Sequence, residues 1–232
     1  VWINIQINQG ILDHMLNLNI FDKNRSVNSV LFLGAHCDDI EIGCGGTILR
    51  IAQLNPGINI HWVVFSSNKV RAKEAESSAK AFLSGIDNKS IIIKSFKDSF
   101  FPYVATEIKE YFEELKSAVT PDLIFTHYGS DRHQDHRTIS ELTWNTFRNH
   151  MILEYEIAKY DGDLGNPNCF VNIERELATK KLDLLSKHYM SQRDKQWFSD
   201  NLFMAMMRIR GIECNAAQGL AEAFYSRKAM LA

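Results

Sequence analysis

The stretch "SVLFLGAHCDDIEIGCGG", residues 29–46, runs from an apolar segment straight into a histidine, two adjacent aspartates and a glutamate on a glycine-rich backbone. A short apolar run closed by glycine reads as a strand buried on both faces, the usual sign of a parallel sheet. The ligand-type side chains that follow have two readings. Asp38, Asp39 and Glu41 are charges suited to a helix N-terminus, with Gly43, Gly45 and Gly46 allowing a tight strand-to-helix turn. Alternatively they are one half of a metal site, and that reading needs a second half elsewhere in the chain.

Outward from this stretch, strand-sized runs rich in β-branched and aromatic residues recur at 58–66, 90–96, 122–128 and 152–157. Helix-like segments lie between them at 45–54, 69–84, 105–118 and 135–149. This alternation predicts an α/β fold with a mostly parallel sheet, helices on both faces, and ligands bound at the carboxyl edge of the strands. After Asp161 the pattern turns to packing helices over 174–192 and 199–211, in which Met204, Met206 and Met207 read as a core stripe. No repeat or Pro/Gly-rich linker interrupts the chain, so a single domain over 1–232 is expected, with 1–28 as an N-terminal extension.

Composition narrows the class without naming a partner. The 232 residues are 45% hydrophobic and 23% charged, with a formal net charge of -2, which lacks the basic excess of a nucleic-acid binder. The four cysteines, Cys37, Cys44, Cys169 and Cys214, show neither zinc-knuckle spacing nor a disulfide framework. The first residues lack a basic segment leading into an apolar stretch, and no apolar run approaches ~18 residues. The expectation is a cytoplasmic protein with no membrane span and no nucleic-acid partner; a homo-oligomer is compatible with the sequence.

The second half of a metal site is present. Directly after "DLIFT" comes "HYGSDRHQDHRT", residues 127–138, which holds His127, His133 and His136 together with Asp131 and Asp135. Both clusters leave a parallel strand at the same edge and can therefore converge. His36 and Asp39 are three apart, and so are His133 and His136, a spacing that brings side chains to one side of a helical turn. Two histidines and a carboxylate fit a hydrolytic zinc site with its fourth position open to water, and such ligands also admit iron, cobalt or manganese. The glycines at 43, 45 and 46 do not supply the third glycine of a dinucleotide fingerprint, which argues against a nucleotide loop.

"AHCDDIEIGCGGT" followed by "HYGSDRHQDH" resembles the two signature motifs of the PIG-L/LmbE-like N-deacetylases, whose patterns are Ala-His-Pro-Asp-Asp-x-Glu and His-x-x-Asp-x-His-x-Asp-His. The second is matched from Asp131 through His133, Asp135 and His136, with three residues instead of two between His127 and Asp131, and the first departs only at Cys37, where the family usually carries proline. The alternation from about 29 to 150 suits the family's Rossmann-like fold. The resemblance implies a zinc enzyme that removes the acetyl group from an N-acetylglucosamine-type sugar or conjugate, with zinc-bound water as nucleophile. It implies that His36, Asp39 and His136 bind the metal and that Asp38 is the general base. His133 would stabilise the oxyanion or protonate the departing amine, with Asp135 holding its ring, while His127 and Asp131 would fix the loop. Arg71 is a candidate substrate contact. Phe96, Phe100, Phe101 and Tyr103 would stack on a sugar or plug the core. The competing functions are a zinc amidase for a non-sugar acylated amine and a carbohydrate-binding protein without catalysis.

Overall fold

The computed structural model describes Leu18, Ile20, Phe21 and residues 27–230. The expected N-terminal extension therefore falls largely outside the described residues, although Phe21 and Val27 are buried. In chain order the elements are β1 (Ser29–Gly34), α1 (Asp39–Leu54), β2 (Asn59–Ser66), α2 (Lys69–Phe82), β3 (Asn88–Phe96), α3 (Ala105–Ala118), β4 (Leu123–His127), α4 (Gln134–Thr146), β5 (Met151–Tyr155), β6 (Cys169–Asn172), α5 (Arg175–His188), α6 (Asp200–Glu213) and β7 (Ala221–Ser226).

The seven strands form one sheet in the order β3-β2-β1-β4-β5-β7-β6. The first five of these are mutually parallel, and β7 runs antiparallel to both β5 and β6. Alternation along each strand divides the interior in two. Val30 and Phe32 of β1 join Ile60, Trp62 and Val64 of β2 and Phe125 of β4 under α1, α2, α5 and α6. Leu31, Leu33, Val63, Phe65 and Ile124 face the other way, against α3 and α4. At the sheet centre the Phe32 and Phe125 rings stack with centroids 4.7 Å apart.

Three details differ from the sequence expectation. Helix α1 begins at Asp39, directly after Asp38 at its N-cap, so Asp39, Glu41 and all three glycines lie within it and not in a turn before it. The glycines serve close packing: a Cβ on Gly43 would sit 2.3 Å from Cδ2 of Tyr155, and one on Gly46 would meet Ile173 and Glu222. In addition, β6 and β7 were not anticipated. Strand β6 has only four residues, and the apolar pattern of β7 is broken by Glu222, which is buried because it pairs with Lys181 Nζ at 2.7 Å. That pair also serves α1: Lys181 donates to the Ile42 carbonyl at 2.7 Å, and Glu222 accepts from the amides of Gly46 and Thr47 at 2.8 and 2.7 Å. Of the methionine stripe, Met207 is buried and Met204 packs against the same core, while Met206 is half-buried and lines a small cavity beside Arg210.

Gly43→Ala balances two effects of opposite sign. Alanine favours a helix interior by about 1 kcal/mol over glycine, whereas a methyl group forced against the buried Tyr155 ring costs about 1–3 kcal/mol. The collision is with Cδ2, Cγ and Cβ, the near end of a fully buried ring and not a flexible tip, so strain prevails. Thermal melting should drop by several degrees; a melting temperature equal to or above wild type would show that α1 tolerates the methyl.

Candidate active site

Strand β1 is the point where strand order reverses. The chain proceeds from β1 to β2 and β3 on one side, then returns to β4 and β5 on the other. The loops leaving β1 and β4 therefore part in opposite directions and leave a crevice at the carboxyl edge. A cleft of about 730 Å³ opens there, lined by His36, Asp38, Asp39, Arg71, His133 and His136 among others.

Within it, three donor atoms converge. His36 Nδ1 is 3.1 Å from His136 Nε2, Asp39 Oδ2 is 3.4 Å from His36 Nδ1, and the same oxygen is 3.6 Å from His136 Nε2. A tetrahedral zinc with bonds of about 2.0–2.1 Å separates its ligand atoms by about 3.3–3.4 Å, so this triangle has the size such an ion needs. The far nitrogen of each ring is tied to a carboxylate. His136 Nδ1 lies 2.9 Å from Asp131 Oδ2, and His36 Nε2 lies 3.2 Å from Asp135 Oδ2. A neutral imidazole that donates from one nitrogen offers the lone pair of the other, so both rings turn an acceptor toward the shared point.

Two other histidines lie close enough to form alternative sets, His36–His133–His136 and Asp39–His127–His136, and their hydrogen bonds set them apart. His127 Nε2, 3.2 Å from Asp39, accepts the Ala35 amide proton at 2.9 Å, which occupies its lone pair. His133 Nδ1 accepts from the Asp135 amide at 3.3 Å, which assigns the ring proton to Nε2 and makes that nitrogen a donor. The carboxylate of Asp135 takes a different place from the one expected. It accepts from the amides of Ser99 and Phe101 at 2.6 and 3.1 Å and faces His36, so it orients the His36 ring and not the His133 ring. The reason is that His133 caps α4 while the Asp135 side chain, two residues on in the first turn, points toward the loop after β3.

Charge in the pocket is arranged for a cation. Burial opposes protonation of His36, yet Asp39, Asp135 and Asp98 outweigh it and hold the ring well above the usual imidazole range, so the ring offers its Nδ1 lone pair only when a bound cation displaces that proton. Burial, then His127, pushes His136 down to about 3, which keeps its Nε2 lone pair free. Asp39 is also buried, but the surrounding imidazoles hold it well below the usual carboxylate range. Beside this triangle Asp38 keeps a different environment: Arg71 Nη2 holds its Oδ1 at 2.8 Å, while its buried Oδ2 has no partner among the described residues. Burial raises its pKa, against the pull of Arg71 and reinforced by Asp39.

The sequence profile of the PIG-L family, described as GlcNAc-PI de-N-acetylase, matches residues 31–147, half of the chain and the part that carries both loops. The chain belongs to the PIG-L family. A curated relative, the uncharacterized deacetylase YaiS of Escherichia coli K12, is 27% identical over 76% of this chain and 99% of its own length. The solved N,N'-diacetylchitobiose deacetylase of Pyrococcus horikoshii matches 93% of this chain and 88% of its own, with a TM-score of 0.67 at 20% identity. GalB of Pseudomonas putida KT2440, a 4-carboxy-2-hydroxymuconate hydratase, matches 88% and 98% with the same TM-score at 15% identity. The PIG-L fold is thus shared by proteins named for different reactions, and the residues of the cleft must decide the chemistry.

Several residues of this PIG-L site were not singled out from the sequence. Asp98 stands 3.3 Å from His36 Nε2, and Lys159 holds Asp131 at 2.8 Å. Asp98 follows the third strand at the ligand edge and was open to the same topological argument; Lys159 follows β5 with no motif around it. Tyr189 is fully buried, and its hydroxyl meets both the Cys37 carbonyl and Glu41 Oε1, the latter at 2.5 Å. A phenol has one proton, so with the carbonyl accepting it the second contact needs a protonated Glu41; burial pushes that carboxyl up to about 8. The Cys37 thiol donates to the Ser66 carbonyl at 3.2 Å, and burial pushes it up to about 12, so it stays protonated at neutral pH. Of the aromatic segment, Phe101 is buried in the core, whereas Phe96 lines the cleft and Tyr103 is exposed.

The lone-pair pattern gives a sorting test by zinc titration. Alanine at His36, Asp39 or His136 should abolish stoichiometric zinc binding, while His127→Gln and His133→Ala should retain it. Asp131→Asn and Asp135→Asn, which remove no ligand atom but disturb the rings that carry two of them, should each weaken affinity about 10–100-fold. Loss of zinc in His127→Gln with the fold intact would refute the assignment.

Proposed function

We propose that this protein is a metal-dependent hydrolase that releases acetate from an N-acetylglucosamine-type amino sugar, free or conjugated, leaving the amine. The observation that carries this reading is the convergence of His36 Nδ1, Asp39 Oδ2 and His136 Nε2 within 3.6 Å, next to a carboxylate with one oxygen unpartnered. The described residues that would hold the metal are those three, and zinc is the ion their nitrogen and oxygen donors suit best, with iron, cobalt and manganese as substitutes. When bound, such an ion lowers the pKa of coordinated water to about 7 and polarises a carbonyl oxygen.

The remaining steps belong to side chains of this chain. Asp38 accepts the proton of the attacking water at Oδ2, because Oδ1 is engaged by Arg71. Its raised pKa makes it a stronger base than a free carboxylate. His133 carries its proton on Nε2 and lines the cleft, where it donates to the oxygen that gains charge or to the departing nitrogen. Asp135 supports the centre through His36. Arg71, paired with Asp38 and close to Glu74, acts on the base before it acts on substrate.

The sugar substrate is supported by the family and by the diacetylchitobiose deacetylase of the same fold. A cytoplasmic setting belongs to the same reading: all four cysteines are free, and no helix among the described residues is long and apolar enough to cross a membrane.

Amine release from a panel of N-acetylglucosamine conjugates and non-sugar acetamides tests the reading. Sugar conjugates should be turned over best, chelation should abolish turnover, and added zinc should restore it. Asp38→Asn should keep the metal and lose about 10²–10⁴-fold in kcat. Full activity after chelation, or in Asp38→Asn, would contradict the mechanism, and preference for non-sugar amides would move the substrate class.

A further inference from the structure

We propose that Tyr189 is a positioning residue for Asp38, doing for the Cys37 turn what a proline ring would otherwise do. The inference rests on the reading of Asp38 as the base of an amide hydrolase. Position 37 lies between a donor residue, His36, and the base, and cysteine there leaves φ unrestrained where proline would fix it near −65°. A turn of this kind, free to shift by an ångström, would blunt the reaction.

Two ties replace the missing restraint. The Cys37 thiol donates to the Ser66 carbonyl at 3.2 Å, which fastens the side chain to the end of β2. The Tyr189 hydroxyl donates to the Cys37 carbonyl, which belongs to the peptide leading into Asp38. The same tyrosine acts on the other end of the base. Its ring lies under the Arg71 guanidinium, 5.1 Å from carbon to centroid, and that guanidinium holds Asp38 Oδ1 at 2.8 Å. Backbone and carboxylate of Asp38 are thus both fixed by one buried side chain that follows α5, 152 positions from Cys37. Because a planar guanidinium can lie over the Tyr189 ring while its Nη2 holds the Asp38 carboxylate, Arg71 transmits the clamp in a way the compact ammonium of lysine would not.

The test is steady-state kinetics of Tyr189→Phe in two backgrounds, the natural Cys37 and Cys37→Pro, on a conjugate that the natural protein deacetylates, with zinc content and thermal melts measured alongside. In the Cys37 background kcat should fall about 10–100-fold, with KM within about twofold and zinc still stoichiometric. In the Cys37→Pro background the same substitution should cost less than about threefold, because the ring restrains the turn. An equal loss in both backgrounds, a kcat within about threefold of the natural protein, or a KM that rises in step would overturn the proposal. If Tyr189→Phe fails to fold, Arg71→Lys reads the same clamp from the ring face: it should lower kcat with KM unchanged, and an unchanged kcat overturns the proposal. Asp38→Asn run in parallel separates the two levels. Full turnover there removes the base reading itself, whereas a dead Asp38→Asn beside a fully active Tyr189→Phe removes only the clamp.

Discussion

Parallel pairing of β1 with β4, in the register Val30↔Leu123, Leu31↔Ile124 and Phe32↔Phe125, is the constraint on which the site depends. It sets the loops after Gly34 and His127 side by side although about a hundred residues separate them in sequence, and it does so at the place where the strand order turns back. The pairing is held by burial on both faces. Each large apolar side chain removed from water there is worth about 1.5–3 kcal/mol, and the stacked Phe32 and Phe125 rings lock the two strands on one face. The site's own interactions cannot supply this, because a cluster of buried carboxylates and imidazoles costs free energy to assemble without a cation.

What the site adds is a sorting of lone pairs. Four histidines crowd the crevice, and hydrogen bonding gives each a separate identity: His36 and His136 present acceptors because Asp135 and Asp131 take their far nitrogens. His127 spends its acceptor on a backbone amide, and His133 on the first turn of α4. The two adjacent aspartates separate in the same manner. Asp39 sits among imidazoles that favour its charge, whereas Asp38 is buried beside a single guanidinium with one oxygen left open. Neighbouring residues of one type acquire different chemistry from their surroundings.

Much of this was legible in the sequence because strand runs and ligand clusters are local signals. The parallel core, its helices and the meeting of residues 36–39 with 133–136 follow from strand alternation and the carboxyl-edge rule. What escaped depends on contacts that no local pattern encodes. Strand β7 hides behind the buried Glu222, whose partner Lys181 comes from α5. The role of Asp135 escaped because its direction is set by the amides of Ser99 and Phe101 on another loop. Tyr189 lies within the segment expected to be a packing helix over 174–192, yet its hydroxyl reaches the Cys37 carbonyl. The glycines of α1 looked like turn residues and proved to be spaces for Tyr155, Phe82 and Ile173.

The central claim is that one divalent ion is held by His36 Nδ1, an Asp39 oxygen and His136 Nε2. Anomalous scattering from crystals of the zinc-loaded protein tests it most directly. The account predicts a single strong peak about 2.0–2.2 Å from those three atoms, with Asp38 outside bonding distance. A peak bonded to His127 in place of His136, or to the Cys37 sulfur at about 2.3 Å, would contradict it.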